Sequence, residues 1–271
     1  LYATTWDTYV EEQFPRIRTA PPRRPGDLHR WQVLNTSDER YVWPGDEWGD
    51  AAAVAGILER CVYGQLAEAP RRICEIASGA GRFTAPVLAR YPDAQMECFD
   101  VSRAFLAQMQ ARFPEEIAAG RLRTHLLTAD PGSLHHGLAA AGAVGTLDAV
   151  LSFDAMVHVE LHTIAIYLAT ASAALRPGGL VAMNVADASN PLGLDKLLNN
   201  APGVYRRGGA AGPQFQFVSP DAMRAVLERL GFTATFEDCN GRDLFVIARL
   251  TEPAAARAAF KDAGSAWWPA R

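Results

Sequence analysis

Short apolar runs alternate with stretches of helical periodicity through the middle of the chain, and this alternation restricts the fold more than any other feature. The runs are residues 73–77, 95–99, 122–127, 148–153 and 180–185, and helical periodicity occupies residues 83–90, 103–112 and 161–175. Such alternation favours a parallel sheet with helices on both faces. The near-continuous apolar character of the runs fits strands that are covered on both sides. The sequence therefore predicts an α/β fold.

The last part of this pattern departs from strict alternation. A helix is predicted over residues 220–230, with Ser219 as its N-cap. Two strand-like runs, residues 233–237 and 244–248, follow and are joined through Asn240-Gly241, a dipeptide typical of β-hairpins. We therefore expect the sheet to finish with an antiparallel pair.

Composition divides the chain into a body and less regular segments. Residues 1–50 are rich in aromatic side chains and broken by prolines, which predicts an irregular N-terminal arm against a body of residues 51–250. Within the body, residues 186–218 show weak periodicity and contain Pro191 with further prolines and glycines. A segment that long and of that composition is typical of a lid or substrate loop. Residues 251–271 form a C-terminal extension, in which Trp267-Trp268 leaves a core contact and a homodimer contact as alternatives.

Charge and composition exclude several classes of protein. The 271 residues carry 26 Lys+Arg against 30 Asp+Glu, and 49% of them are hydrophobic, as in ordinary globular chains. The resulting net charge of −4 argues against nucleic acid as a partner, and no apolar run approaches the ~20 residues of a membrane span. Four cysteines without a Cys-x-x-Cys pattern argue against a disulfide framework and a structural zinc. With no signal peptide visible, we expect a cytoplasmic protein.

The segment around residues 73–83 carries the strongest chemical signal. A predicted strand containing Glu75 runs into Gly79-Ala80-Gly81 and then a helix, which places bare backbone at the carboxyl edge of the sheet, where nucleotide-like ligands bind. Asp100 ends the next strand about 20 residues later, where a carboxylate can bind both hydroxyls of an adenosine ribose. Thr84 replaces the third glycine of the dinucleotide pattern, so an adenosine ligand without a pyrophosphate fits better. A tight turn without a ligand is the alternative.

Five segments, in this order and spacing, resemble the motifs of class I S-adenosylmethionine-dependent methyltransferases. They are residues 75–81, 98–102, 128–130, 147–159 and 175–180. The resemblance covers roughly residues 50–250 and implies a Rossmann-like sheet of seven mostly parallel strands with an antiparallel final strand. The sequence departs from the family at Ala77-Ser78, where Gly-Cys or Gly-Ser is common, so Ala77 is expected to narrow the room near the methionine part of the cofactor.

The resemblance implies S-adenosylmethionine as cofactor and S-adenosylhomocysteine as product. Glu75 and the backbone of Gly79 and Gly81 would lie along the methionine moiety, beside Ala77. Asp100 would hold the ribose diol.

Later strands would contribute the contacts to the adenine and the sulfonium. Val101 would lie against the adenine face, Asp130 would accept from the adenine amino group, and the backbone around Phe153 would line the sulfonium side. Asp130 has an alternative role, because Asp before Pro-Gly is common in turns and caps. Trp48 would close over the methionine end, since electron-rich rings attract a sulfonium cation. The alternative is that the segment around Trp48 only packs against the body.

His158 is the candidate general base. It follows the fourth predicted strand, so we expect it near the methyl group, and an imidazole that titrates near pH 6.5 can accept a hydroxyl proton. The competing interpretation is that His158 only shapes the pocket. A metal held by His158 and His162 on one helix face would lack a visible third ligand, so no metal is expected. His135-His136 is expected in a solvent-facing loop.

The predicted function is therefore methyl transfer to a small molecule, such as a sugar or natural-product acceptor, at oxygen. N- or C-methylation is an alternative, and so is a non-catalytic S-adenosylmethionine-binding partner subunit. A nicotinamide oxidoreductase on a similar sheet is disfavoured by Thr84.

Overall fold

The elements of the fold are defined for residues 2–19, 42–49, 51–130, 132–206 and 214–253, which the computed structural model describes. The strands are β1 (Arg72–Ile76), β2 (Gln95–Asp100), β3 (Leu122–Leu126), β4 (Leu147–Ser152), β5 (Leu175–Asp187), β6 (Phe217–Val218), β7 (Phe232–Glu237) and β8 (Asp243–Leu250). The α-helices are α1 (Tyr2–Thr8), α2 (Phe14–Thr19), α3 (Ala51–Cys61), α4 (Thr84–Arg90), α5 (Arg103–Arg112), α6 (Pro114–Ala118), α7 (Ser133–Ala140), α8 (Leu161–Ala174), α9 (Pro191–Arg206) and α10 (Pro220–Arg229).

The strands form one mixed sheet in the order β3-β2-β1-β4-β5-β8-β7, with β6 paired to β5. β1 pairs in parallel with β2 and β4, whereas β8 runs antiparallel to β5 and β7. This confirms the predicted Rossmann-like sheet with its antiparallel end, to which the short β6 adds a further strand. After β3 the chain crosses back and places β4 on the other side of β1. This reversal opens a crevice at the carboxyl ends of β1 and β4.

Both faces of the central strands are buried, because helices cover each side of the sheet. In β1, Cys74 and Ile76 belong to an apolar cluster that includes residues of α7, α8 and α10. Ile73 belongs to a second cluster, on the opposite face, with residues of α3, α4 and α5. These three side chains are at most 1% exposed. With both faces filled by apolar side chains, a ligand can be reached mainly from the strand ends and the loops that follow them.

Two segments that were expected to be loops are helical. Within residues 186–218, α9 begins at Pro191, whose fixed φ suits a first helical position, and Asn190 Oδ1 caps it by accepting from Leu192 N at 3.2 Å. The proline that suggested a loop therefore starts a helix. α7 carries His135, which is 5% exposed instead of facing solvent.

The N-terminal arm is helical over residues 2–19. A π-helical turn, Tyr9–Gln13, joins α1 to α2, and Tyr9 and Phe14 are buried. Residues 20–41 lie outside the described residues. So do residues 207–213 of the expected lid and Trp267-Trp268. The homodimer contact stays a prediction.

Two helical glycines give a matched test of this packing. A Cβ on Gly137 in α7 would lie 2.5 Å from Phe99 Cε1 of β2, whereas a Cβ on Gly56 in α3 would meet nothing within 4 Å. We expect Gly137→Ala to lower the free energy of unfolding by about 1–3 kcal/mol through overpacking. Gly56→Ala should raise it by about 0.5–1 kcal/mol, because alanine loses less backbone entropy in a helix. Urea unfolding of both variants measures the two changes in the free energy of unfolding. Equal changes would contradict the close contact between Gly137 in α7 and Phe99 in β2.

Candidate functional site

A cavity of about 540 Å³ lies at the carboxyl ends of β1, β2 and β4 and extends under the N-terminal arm. Its volume is in the range of small-molecule sites. The sequence-predicted residues that line it are Trp48, Glu75, Ala77, Gly79, Asp100, Val101, Asp130, Phe153 and His158. Gly81 does not line the cavity. Its added Cβ would lie 2.4 Å from Phe113 Cε2, so this glycine permits close packing against the end of α5.

The loop after β1 is strained and is tied to β2. Ala77 and Gly79 have φ values of 57° and 56°, and this left-handed conformation costs an alanine roughly 1–2 kcal/mol. Ser78 N donates to Phe99 O at 3.1 Å, and Gly79 N donates to Asp100 Oδ2 at 2.8 Å. These bonds fix the loop against the neighbouring strand end.

Asp100 has its carboxylate held on two sides. Oδ2 accepts from Gly79 N, and Oδ1 accepts from Ser102 N, each at 2.8 Å. Burial raises the pKa of Asp100 to about 6, while backbone hydrogen bonds oppose the shift. A carboxylate offers about four acceptor sites, so Asp100 can accept further hydroxyls from the cavity.

Glu75 is a buried carboxyl on β1, 3% exposed. Thr84 Oγ1 donates to its Oε2 at 2.5 Å. Burial raises the pKa of Glu75 to about 7, and the bond from Thr84 opposes that shift. The threonine that replaces the dinucleotide glycine therefore joins the first residue of α4 to the carboxyl in β1.

The N-terminal arm covers the cavity with residues that sequence reasoning missed. Trp6 and Asp7 of α1 line it together with Trp48. The rings of Trp6, Trp48 and Phe105 pack with centroids 5.8, 6.1 and 6.3 Å apart. Trp48 thus lies on the cavity wall as well as in the aromatic packing of the arm. The many aromatic residues of the arm indicated aromatic packing, but their spacing in the sequence did not predict that Trp6 contacts Trp48.

His158 also lines the cavity and lies in the turn Met156–His158 after β4. The ring Nδ1 is 3.3 Å from the carbonyl oxygen of Gln214. Because a carbonyl only accepts, Nδ1 carries the hydrogen, and a neutral ring presents its lone pair at Nε2. Burial lowers the pKa of His158 from its usual value of 6.5, which keeps the ring neutral at pH 7.

Arg82 and Asp154 form an ion pair on the same cavity. Asp154 has a φ of 58° although it is not glycine. Its N–H donates to Asn184 Oδ1 at 2.7 Å, and Asn184 Nδ2 donates to Asp243 Oδ2 at 3.1 Å. Sequence reasoning assigned no role to Arg82, which directly follows the motif of residues 75–81, or to Asp154, which lies within the motif of residues 147–159.

Asp130 lies at the edge of the cavity, with its side chain 53% exposed. Its Oδ1 accepts from Gly132 N at 2.9 Å, which is the turn geometry proposed as its alternative role. The structure therefore shows that alternative, and the contact to an adenine stays a prediction.

His158 and His162 do not share a helix face, since His162 lies on α8. The described residues contain no group of three or more His, Cys, Asp or Glu side chains arranged to hold a metal ion. Nor do they include a helix with the length and hydropathy needed to cross a membrane.

Comparisons with known proteins agree with this geometry. Residues 74–181 match the family model described as a methyltransferase domain. No curated protein matches the chain by sequence.

Solved structures show the same fold at low sequence identity. An O-methyltransferase family protein from Burkholderia thailandensis has a TM-score of 0.53 at 14% identity, over 74% of this chain and 58% of that one. The CurJ carbon methyltransferase has a TM-score of 0.52 at 15% identity, over 74% and 54% of the two chains. A phosphoethanolamine N-methyltransferase from Haemonchus contortus, in complex with phosphomonomethylethanolamine and S-adenosylhomocysteine, has a TM-score of 0.54 at 13% identity, over 74% and 53%. The chain thus spans less than two thirds of each of these structures.

Because the pKa of Glu75 is raised, we expect this residue to lower the free energy of unfolding of the ligand-free protein in a pH-dependent way. Below pH 4.5, the usual pKa of the group, the carboxyl is protonated in both the folded and the unfolded state, and the loss of stability is absent. Above about pH 7 the folded protein carries a buried carboxylate. The loss of stability then reaches roughly 3 kcal/mol. We expect the stability of Glu75→Gln relative to the natural chain to rise between pH 4.5 and 8, as measured by urea unfolding.

Glu97→Gln is the control for this measurement. Glu97 is equally buried but its pKa is lowered by His125 and Arg123, which outweigh its burial. Its carboxylate therefore contributes stability above the usual pKa, and that contribution is lost in acid. The relative stability of Glu97→Gln should fall as pH rises. The same pH trend in both variants would contradict the assignment for Glu75.

Proposed function

We propose, from the match of residues 74–181 to a methyltransferase domain, that the chain is a class I S-adenosylmethionine-dependent methyltransferase and transfers the methyl group of S-adenosylmethionine to the oxygen of a small-molecule acceptor. The observation that carries this proposal is the cavity itself. Asp100 and the Gly79 loop line one part of it, and His158 lines another. A single cavity thus adjoins both a candidate cofactor-binding motif and a candidate base.

The residues fit the cofactor at the end of the cavity next to β1 and β2. Asp100 retains acceptor sites for the ribose diol. Val101 would lie against the adenine ring, and Asp130 would accept a hydrogen bond from the adenine amino group. Glu75 and the Gly79 backbone would lie along the methionine moiety, next to Ala77. A carboxylate at Glu75 suits the methionine ammonium, which offsets the cost of burying that charge.

The sulfonium side of the cavity would be formed by the backbone around Phe153 and by aromatic rings of the arm. When bound, the cofactor supplies an electrophilic methyl group on a cationic sulfur. Trp48 and Trp6 line the same cavity, and electron-rich rings attract such a cation. These rings also exclude water, which desolvates an attacking oxygen.

His158 would remove the proton of the attacking hydroxyl. Its neutral ring places the lone pair on Nε2, because Nδ1 donates to the carbonyl oxygen of Gln214 at 3.3 Å. Its lowered pKa means that it stays unprotonated over a wider pH range than an exposed imidazole. The protein's other contribution is to hold the acceptor in line with the bond that breaks.

A cavity of about 540 Å³ beside the arm favours a small acceptor of the sugar or natural-product type. An amine is the second candidate, favoured by the carboxyls of Asp154 and Glu160 on the same cavity. All four cysteines are free, which fits the reducing cytoplasm that we propose as the location.

The function is tested with methyl-labelled S-adenosylmethionine and a panel of phenols, hydroxylated glycosides and aliphatic amines. We expect labelled O-methyl products, identified by mass spectrometry. Labelled amine products alone would replace oxygen by nitrogen as the accepting atom. Tight binding of S-adenosylhomocysteine without transfer to any member of the panel would favour the non-catalytic partner.

The role of His158 is tested by His158→Ala, with His162→Ala as control because His162 is exposed on α8. Loss of a general base should lower turnover by ~10²-fold or more, while affinity for S-adenosylhomocysteine stays unchanged. The rate of the natural enzyme should fall only below the usual histidine pKa of 6.5, because burial lowers the pKa of His158. A variant that keeps most of its turnover would restrict His158 to shaping the pocket.

A further inference from the structure

The N-terminal arm brings a carboxylate to the cofactor end of the cavity. Asp7 of α1 lines the cavity together with Asp100 and Val101. Its Oδ1 accepts from Ser102 Oγ at 2.6 Å and from Ala104 N at 3.0 Å. Asp7 is 95 residues from Ser102 in sequence, so only the docking of α1 on the start of α5 creates this contact.

Asp7 and Asp100 meet at one residue. The backbone N–H of Ser102 donates to Asp100 Oδ1 at 2.8 Å, and its hydroxyl donates to Asp7. The charge of Asp7 contributes to the raised pKa of Asp100, after the larger effect of burial. Two carboxylates on one cavity wall repel each other, and hydroxyl donors from a ligand would relieve that repulsion.

Only one oxygen of Asp7 is used by the protein. In the described part of the chain, Oδ2 of Asp7 has no hydrogen-bond partner. A role as a cap for α5 accounts for Oδ1 but leaves open why the residue also borders the cavity. A second acceptor beside Asp100 suits a vicinal diol, whose two hydroxyls can each donate to a different carboxylate.

We infer that Asp7 is a second ribose-binding carboxylate, so that the bound cofactor latches the N-terminal arm onto the body. The inference rests on the proposed placement of the cofactor, in which Asp100 holds the ribose diol.

The latch would also complete the acceptor end of the cavity. Trp6, the neighbour of Asp7, has its ring centroid 5.6 Å from that of His158 and 5.8 Å from that of Trp48. A shift of α1 away from α5 would therefore remove the ring of Trp6 from His158.

The test is Asp7→Asn, with affinity for S-adenosylhomocysteine measured by calorimetry. Asparagine keeps the oxygen that accepts from Ser102 and Ala104 but loses the charge and the second acceptor. We expect affinity to fall about tenfold, the scale of a charge-assisted hydrogen bond. The matched control is Glu11→Gln, which removes one negative charge from an exposed position of the same arm and should leave affinity unchanged.

Two measurements separate ribose binding from a purely structural role. The first measurement uses the 2′-deoxy and 3′-deoxy analogues of S-adenosylhomocysteine. For the analogue that lacks the hydroxyl bound by Asp7, Asp7→Asn should cause little further loss of affinity. Hydrogen exchange of residues 3–14 should slow on addition of S-adenosylhomocysteine in the natural chain and much less in the variant. Equal losses for the parent ligand and both analogues, or equal arm protection with and without ligand, would overturn the inference.

Asp100→Ala distinguishes this inference from the proposal that it rests on. If Asp100→Ala leaves affinity unchanged, the placement of the ribose fails and the latch fails with it. If Asp100→Ala weakens binding at least tenfold while Asp7→Asn does not, the cofactor placement stands and the latch alone is wrong. An unchanged melting temperature of ligand-free Asp7→Asn would show that lost affinity does not arise from unfolding.

Discussion

The structure depends on the burial of its central parallel strands on both faces. Ile73, Cys74 and Ile76 of β1 are almost fully buried between two layers of helices, so ligands can reach the sheet mainly from its ends. The chain reversal between β3 and β4 opens a crevice at the adjacent carboxyl ends of β1 and β4. Hydrophobic burial and chain topology together therefore place the cavity at this edge.

Several residues around that cavity lower the stability of the ligand-free protein, whereas the apolar residues of the core stabilise it. Ala77 and Asp154 adopt left-handed conformations, and Glu75 and Asp100 are buried carboxyls with raised pKa values. Each feature costs free energy in the ligand-free protein, and together they cluster at one site. Ligand donors can offset the carboxylate costs, which gives a physical reason for the cluster next to the glycine loop.

The N-terminal arm connects the two ends of this site. Asp7 contacts the start of α5 beside Asp100, while the neighbouring Trp6 packs near His158. Because Trp6 and Asp7 are adjacent residues of α1, a movement of one of them also moves the other. In the proposed binding mode, cofactor binding and the shape of the acceptor wall would therefore be coupled.

The sequence by itself determined the α/β class, the order of the central strands along the chain and the positions of Glu75, Asp100 and His158 at strand ends, because these depend on local periodicity and short motifs. It failed where local signals were ambiguous: Pro191 suggested a loop but starts α9, and His135 is buried in α7. Only the tertiary structure placed Trp6 and Asp7 at the cavity, paired Arg82 with Asp154 and directed Gly81 toward Phe113. These contacts join residues distant in sequence, and they exist only after the helices have packed on the sheet.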